Sequence, residues 1–295
     1  MILLTGATGT VGSALLGRLT AGGRPVRCLV RDPRRLGPQR VMVQISLGDL
    51  AEPASFRHAL RGVRTVVHLA AAIRDQPRAS IEELNALATL RLVRAAEQSG
   101  VERFILFSAL GSELHSPARF MRSKALAERA VEPSTLRVDV VAPSLVYSPG
   151  DRWLRLLERM SYLPVMPLAG EGRALHQPIF AGDVADCVTA LLDADGEPRR
   201  IELAGPDILS HEEMVALAVR SFGRVRRRAS LPLPVIRPGL RAAERLLGAA
   251  TPATADEVEL LEVPMTTERG TAGAESLGVR PRSMWEVLGA RRSGR

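Results

Sequence analysis

Three glycines mark the first place where this chain could do chemistry. In Thr5-Gly6-Ala7-Thr8-Gly9-Thr10-Val11-Gly12 they follow an apolar run and open an amphipathic one. Glycine lets the backbone turn tightly and approach a ligand closely, and a helix starting there offers free amide donors and the positive end of its dipole. A pyrophosphate suits such a turn, so Gly6, Thr8, Gly9, Thr10, Val11 and Gly12 are expected to hold a dinucleotide. About 20 residues further on, where an acidic side chain would take an adenosine ribose, stands Arg31. Its guanidinium can pair with a 2′-phosphate, with Arg34 and Arg35 close enough to assist. This favours NADP(H) over NAD(H), although Asp32 next door could serve NAD(H) and arginine is common throughout the chain.

A parallel sheet is what would position such a turn. Up to about residue 145, short β-branched runs alternate with amphipathic stretches, the pattern of βαβ units. The predicted strands are Met1 to Thr5, Pro25 to Val30, Val41 to Ile45, Thr65 to Leu69, Arg103 to Phe107 and Val138 to Ala142. Helical spacing is expected over Val11 to Ala21, Ile81 to Ser99 and Ala118 to Val131, the second opening with a Ser80–Glu83 capping box. The fold class is therefore α/β, a Rossmann-type doubly wound parallel sheet over residues 1–145, followed by a smaller, mainly helical C-terminal lobe over 146–295. Pro149, Gly150, Pro164, Pro167, Gly170 and Gly172 break the alternation beyond Pro143. Strand-like Gln177 to Phe180 and Arg200 to Ala204 flank a helix at Asp183 to Asp193, so residues 177–205 are expected to return partly to the sheet. Further helices are predicted at Ser210 to Phe222, Pro234 to Leu247 and Thr254 to Leu261, with capping boxes at Ser210–Glu213 and Thr254–Glu257.

Composition narrows the classes. The 46% hydrophobic and 24% charged content is that of an ordinary globular chain. No apolar run reaches the roughly 20 residues of a membrane span, and Met1-Ile2-Leu3-Leu4 leads to Gly6 without a basic leader, which reads as cytoplasmic. Cys28 and Cys187 read as core residues. His58, His68, His115, His176 and His211 lack the spacing of zinc ligands, so no metal is expected. The net charge of +8 peaks at Arg226-Arg227-Arg228, but aromatics do not interleave with the arginines as they would on a surface for single-stranded nucleic acid, and no nucleic-acid partner is expected.

Beyond the glycines, several motifs stand in order: Gly48-Asp49-Leu50, Val67-His68-Leu69-Ala70-Ala71, Phe107-Ser108-Ala109-Leu110-Gly111, Ser123-Lys124-Ala125 with Glu128, and Ala142-Pro143-Ser144-Leu145-Val146-Tyr147. With Gln177-Pro178-Ile179 and Asp183-Val184-Ala185, they resemble the atypical and extended short-chain dehydrogenase/reductases, in particular the branch with NmrA-like proteins and the NADPH-binding accessory subunit of respiratory complex I. The resemblance is specific over about residues 1–205. It implies that Asp49 and Leu50 line the adenine, that Leu69, Ala70 and Ala71 line the adenosine ribose and pyrophosphate, and that Ser108 and Lys124 serve the nicotinamide ribose. Pro143 and Val146 would face the carboxamide.

That family pairs its lysine with a tyrosine four residues earlier, which moves the proton that accompanies hydride transfer. Here the position holds Phe120, which cannot donate. Lys124, by contrast, is the sole lysine among 40 Lys and Arg residues and falls on the family position, so it reads as chemically required. The resemblance implies an NAD(P)H-dependent oxidoreductase acting on a small hydrophobic carbonyl or enone, the apolar stretch from Trp153 to Pro167 suiting such a substrate. His115, Ser108, Tyr147 and His176 are the candidates for a substitute acid, and Leu110, Tyr147, Trp153 and His176 the expected substrate contacts. The alternative is a non-catalytic NADPH-binding redox sensor or accessory subunit with a protein partner.

Overall fold

A computed structural model describes residues 1–77, 79–248 and 251–289. Seven parallel strands form its central sheet: β1 (Ile2–Thr5), β2 (Val26–Val30), β3 (Gln44–Leu47), β4 (Thr65–His68), β5 (Arg103–Phe107), β6 (Arg137–Pro143) and, numbered along the chain, β11 (Arg200–Leu203). Their order is β11-β6-β5-β4-β1-β2-β3. The chain therefore moves outward from β1 to β3, returns to the other side of β1, and moves outward again. Ile2 lies opposite both Val26 and Thr65, so β1 and β4 end side by side. Connections leave these two strands in opposite directions, and a ligand crevice opens at such a switch point.

Helices cover both faces because every central strand is apolar on both sides. On one face α1 (Thr10–Ala21) packs against α6 (Ala181–Asp193), with Leu15, Leu16, Leu19, Val184, Val188 and Leu191 buried between them and the sheet. On the other lie the short α2 (Pro53–Phe56), α3 (Ala88–Gln98) and α4 (Arg119–Val131), which bury Phe56, Leu92, Val93, Ala127 and Val131. Each such aliphatic side chain gains roughly 1.5–3 kcal/mol on leaving water. Cys28 and Cys187 are buried and unpaired, and burial pushes both thiols up to about 12.

The C-terminal half has its own apolar cluster. There α5 (Arg152–Met160) and α7 (His211–Ser221) enclose Tyr147, Leu154, Leu157, Met166, Met214 and Val215. Short strand pairs surround them: β7 (Val146–Tyr147) with β10 (Ile179–Phe180), β8 (Val165–Ala169) with β13 (Arg227–Leu231), and β9 (Leu175–His176) with β12 (Leu209–Ser210). Then follow α8 (Leu233–Leu247), α9 (Ala255–Leu260), α10 (Ala272–Glu275) and α11 (Met284–Leu288). The last part of the chain returns to the sheet: α10 lies on β11 and Ala274 is part of the central core.

Three expectations shift. The third strand begins at Gln44 rather than Val41, because Pro33–Met42 winds into tight 3-10 turns around Pro38 and a left-handed Gly37. Val41 is left 79% exposed, beyond the reach of a partner on β2, whose register starts at Arg27↔Gln44. The helix expected over Ile81 to Ser99 carries a π turn at Glu83–Leu87. Of the segment predicted from Gln177, only Ile179 and Phe180 are strand, and they pair with β7 outside the large sheet; Arg200–Leu203 does join it.

Candidate functional site

A cavity of about 820 Å³ opens at the switch point between β1 and β4. Gly6, Thr8 and Gly9 form its floor. Gly6 has φ 72°, and a Cβ there would stand 2.6 Å from the Ala70 nitrogen; one at Gly12 would run into the Gly6 carbonyl. Only glycine permits both approaches. Gly9 caps α1 without a side-chain bond, and the first turn has no acidic residue, so the leading amides and their dipole are left to a ligand.

The wall opposite the turn is pinned from behind. Thr89 donates its hydroxyl to the Asn85 carbonyl at 2.5 Å, so it accepts from His68 Nε2 at 3.0 Å. His68 Nδ1 then accepts from Thr5 Oγ1 at 2.7 Å, and Thr5 accepts the Ala70 amide at 3.3 Å. This fixes a neutral imidazole, and burial holds His68 down to about 3. Asn85 completes the brace. Its amide bonds both the nitrogen and the oxygen of Ala72, at 2.7 and 2.8 Å, and donates to Ser123 Oγ at 2.9 Å. Sequence reasoning passed over Asn85, whose signal was a polar residue on the buried side of an amphipathic helix.

At the end beyond β2 the lining includes Arg31, Asp32, Arg35, Asp49 and Leu50, continuing through Leu69, Ala70 and Ala71. Arg31 and Arg35 are exposed, and neither forms an ion pair among the described residues. One oxygen of Asp32 accepts the Arg34 amide at 2.9 Å, capping the turn after β2. Asp49 is similarly engaged with the Ala51 amide at 3.0 Å.

The remaining site residues lie outside this lining. Lys124 is 4% exposed and donates from Nζ to the Phe107 carbonyl at 2.6 Å. Burial pushes its ammonium down to about 8 against the opposing pull of Glu128. Ser108 donates its hydroxyl to Glu128, which also accepts from Ser112 at 2.6 Å and Arg200 at 3.1 Å. Phe120 packs with Ala109, Met121, Leu260, Val263 and Met265. Segment 260–267 is stitched in place there: the Met265 carbonyl accepts from Ser144 Oγ at 2.8 Å and from the Gln177 amide at 3.0 Å. His176 is buried behind this segment and donates from Nε2 to the Leu261 carbonyl at 3.2 Å. Leu110 is buried and tied by its amide to Pro143, at the end of β6; Val146 lies in β7 against Ile179. Tyr147 and Trp153 turn into the apolar cluster of the C-terminal half, and His115 is exposed.

A family model described as NAD(P)H-binding matches residues 6–195, including the whole glycine turn and Lys124. The chain belongs to this NAD(P)H-binding family. It is 28% identical over 78% of its length to NADH dehydrogenase [ubiquinone] 1 alpha subcomplex subunit 9, mitochondrial, of Arabidopsis thaliana, and spans 60% of that relative. To (4-alkanoyl-5-oxo-2,5-dihydrofuran-3-yl)methyl phosphate reductase of Streptomyces griseus it is 30% identical, covering 82% of this chain and 81% of the other. In fold it matches a nucleoside-diphosphate-sugar epimerase from Staphylococcus aureus with a TM-score of 0.75 at 20% identity, over 97% and 99% of the two chains. Among the described residues no helix is long and apolar enough to cross a membrane.

One feature of this NAD(P)H-binding chain gave no sequence signal, because it joins residues far apart. Arg74, on the loop after β4, holds Glu257 through Nη2 at 2.7 and 2.8 Å and donates to the Thr251 carbonyl at 3.0 Å. Arg119, at the start of α4, pairs with Asp75 and Asp256 at 3.0 Å and with Glu82 at 2.7 Å, and holds the Glu82 carboxyl below its usual range. Arg152 donates to the carbonyls of Thr251 and Pro252 at 3.2 Å. Glu244, Thr254 and Asp256 thereby come to form the far rim of the cavity.

Proposed function

We propose that this protein holds NADP(H) as an accessory or redox-sensing component and does not reduce carbonyls by the tyrosine–lysine route. The observation that carries this reading is the setting of Phe120: a ring with no proton to donate stands at the acid's position, half-buried in one apolar cluster with Met265, Val263 and Leu260. The residues of the cleft suit the dinucleotide, since the cradle at Gly6 and Gly12 would be filled by any Cβ and the amides opening α1 have no competing cap. When bound, the dinucleotide supplies hydride chemistry. This chain's contribution is to seat the pyrophosphate on α1 and to present Arg31 and Arg35 to a 2′-phosphate, which favours NADP(H) over NAD(H).

A second reading, an NADPH-dependent reductase, is favoured by Lys124. An ammonium brought down to about 8 by burial can give up a proton near neutral pH, and the relative from Streptomyces griseus is named a reductase. Its substrate would be a small hydrophobic carbonyl or enone. Calorimetry with NADPH and NADH, followed by NADPH-oxidation assays against aldehydes, quinones and enones, separates the two. The first reading expects NADPH binding without turnover in the unmodified protein, and turnover only in Phe120→Tyr. Turnover by the unmodified protein selects the second, and failure to bind either nucleotide rejects both.

A further inference from the structure

The arginine run at 226–228 plays no part in the nucleotide cleft. It lies at the outer end of the C-terminal half, where β13 pairs with β8 in the register Arg227↔Val165. All five residues of β13 are exposed. Beside it the turn after α5 presents Tyr162, 67% exposed, with Leu163 and Val165, and Val225, 77% exposed, precedes the run. Side-chain contacts join these into one surface. The Arg224 guanidinium lies 3.9 Å from the centroid of the Tyr162 ring and donates to Ser161 Oγ at 3.2 Å, while Arg226 donates to the Ser161 carbonyl at 2.9 Å. Beneath them a small hollow is lined by Arg220, Arg224, Arg226 and Arg228 together with Met166 and Val225. The nearby carboxylates are Glu212, paired with Arg228 at 2.8 Å, and Glu158 on α5.

We infer that this surface docks on an anionic phospholipid membrane, peripherally and without spanning it. Two properties occur together here. Clustered arginines meet the phosphates of acidic headgroups, and each cation near such a surface adds attraction. Aliphatic side chains standing among them gain by leaving water for the acyl boundary, with a tyrosine at headgroup level. Nucleic acid would use the charge but not Leu163, Val165 and Val225, and the single ring of Tyr162, with Arg224 on one face, is not the row of aromatics on which successive bases stack. Strong charge with modest apolar insertion is the balance of a reversible interfacial contact.

Co-sedimentation with phosphatidylglycerol vesicles, compared with phosphatidylcholine vesicles, tests this on the full chain. The unmodified protein is expected to sediment with the anionic vesicles only, and to be released by 0.5 M salt by roughly tenfold or more. Arg226→Glu with Arg227→Glu reverses two charges of the run that make no ion pair among the described residues, and is expected to lower the partition coefficient at least tenfold, since each cation near such a surface contributes ~1 kcal/mol, about fivefold. Leu163→Asn with Val225→Asn is expected to lower it without changing the salt dependence. NADPH affinity, measured in parallel, should stay constant in both variants, which keeps this test separate from the reading of the nucleotide site. A protein that stays in the supernatant, that binds both vesicles equally, that is unaffected by either pair of substitutions, or that prefers a DNA oligonucleotide to the vesicles overturns the inference.

Discussion

The Lys124 ammonium lies 5.7 Å from the centroid of the Phe120 ring, one helical turn away on α4. The ring thus faces the cation with its π-electrons, where a hydroxyl would have faced it with a lone pair. Lys124 spends one donor on the Phe107 carbonyl, so the buried cation has that oxygen, the ring and the pull of the Glu128 carboxylate to set against its burial.

Such a cation costs stability. Its folded-state value, about 8, lies below the ordinary value of 10.5, so between these pH values the unfolded chain binds more protons and stability rises with pH; below pH 8 the full cost is present. Lys124→Met is therefore expected to raise the melting temperature at pH 7, by the equivalent of ~1–3 kcal/mol, while weakening NADPH binding. Calorimetric melting and nucleotide titration of the same sample check both halves.

Arg31→Ala is expected to weaken NADPH binding by roughly tenfold and NADH binding by far less, because an exposed charge-assisted bond to a 2′-phosphate is available to only one of the two. Arg35→Ala should act in the same direction and more weakly. Equal losses for both nucleotides would instead place these guanidinia on the pyrophosphate.

Arg74 and Glu257 are only 11% and 15% exposed. Arg74→Ala leaves the carboxylate poorly solvated and is expected to loosen residues 251–257 at a cost of roughly 3 kcal/mol or more. Hydrogen exchange in that segment reports it directly: amide protection should fall there while the amides of β1 and β4 keep theirs.

Acid should destabilise the fold through its histidines. Burial holds His68 down to about 3 and His211 to about 4, both below the ordinary 6.5. As pH falls below 6.5 the unfolded chain takes up protons that the folded chain refuses, so stability is full above that value and declines toward pH 4 and then 3. Each group contributes a slope of ~1.4 kcal/mol per pH unit. Denaturant melts at pH 7, 6 and 5 should show it, with a shallower slope in His211→Asn.

Much of this was legible from local pattern. The strand at Arg103–Phe107 and the turn at Gly6 follow from short-range rules, and the Ser210–Glu213 and Thr254–Glu257 boxes open their helices as predicted. The third strand slipped because Val41, Met42 and Val43 have the right composition but lack a neighbour in the sheet, which composition does not record. At the site, the cavity-lining residues Gly6, Thr8, Gly9, Asp49, Leu50 and Leu69 to Ala71 were legible because each belongs to a motif adjoining a strand end. The bonds from Arg74 and Arg119 to Glu257 and Asp256 were not, since they span well over a hundred residues and arginine is too common here for any one to stand out. The bond of His176, an expected substrate contact, to the Leu261 carbonyl was equally hidden, since its partner stands 85 residues along the chain.

The return of α10 to the sheet sets an order of events during synthesis. Ala274 is fully buried in the central core, Gly273 lies so close to Glu202 that a Cβ would meet its carbonyl, and Asp183 at the start of α6 receives Arg282 at 2.7 Å. The seam along β11 and α6 therefore stays open until residues 272–282 have been made. A nascent chain that stalls before residue 272 would emerge with that apolar seam uncovered and open to chaperones and proteases.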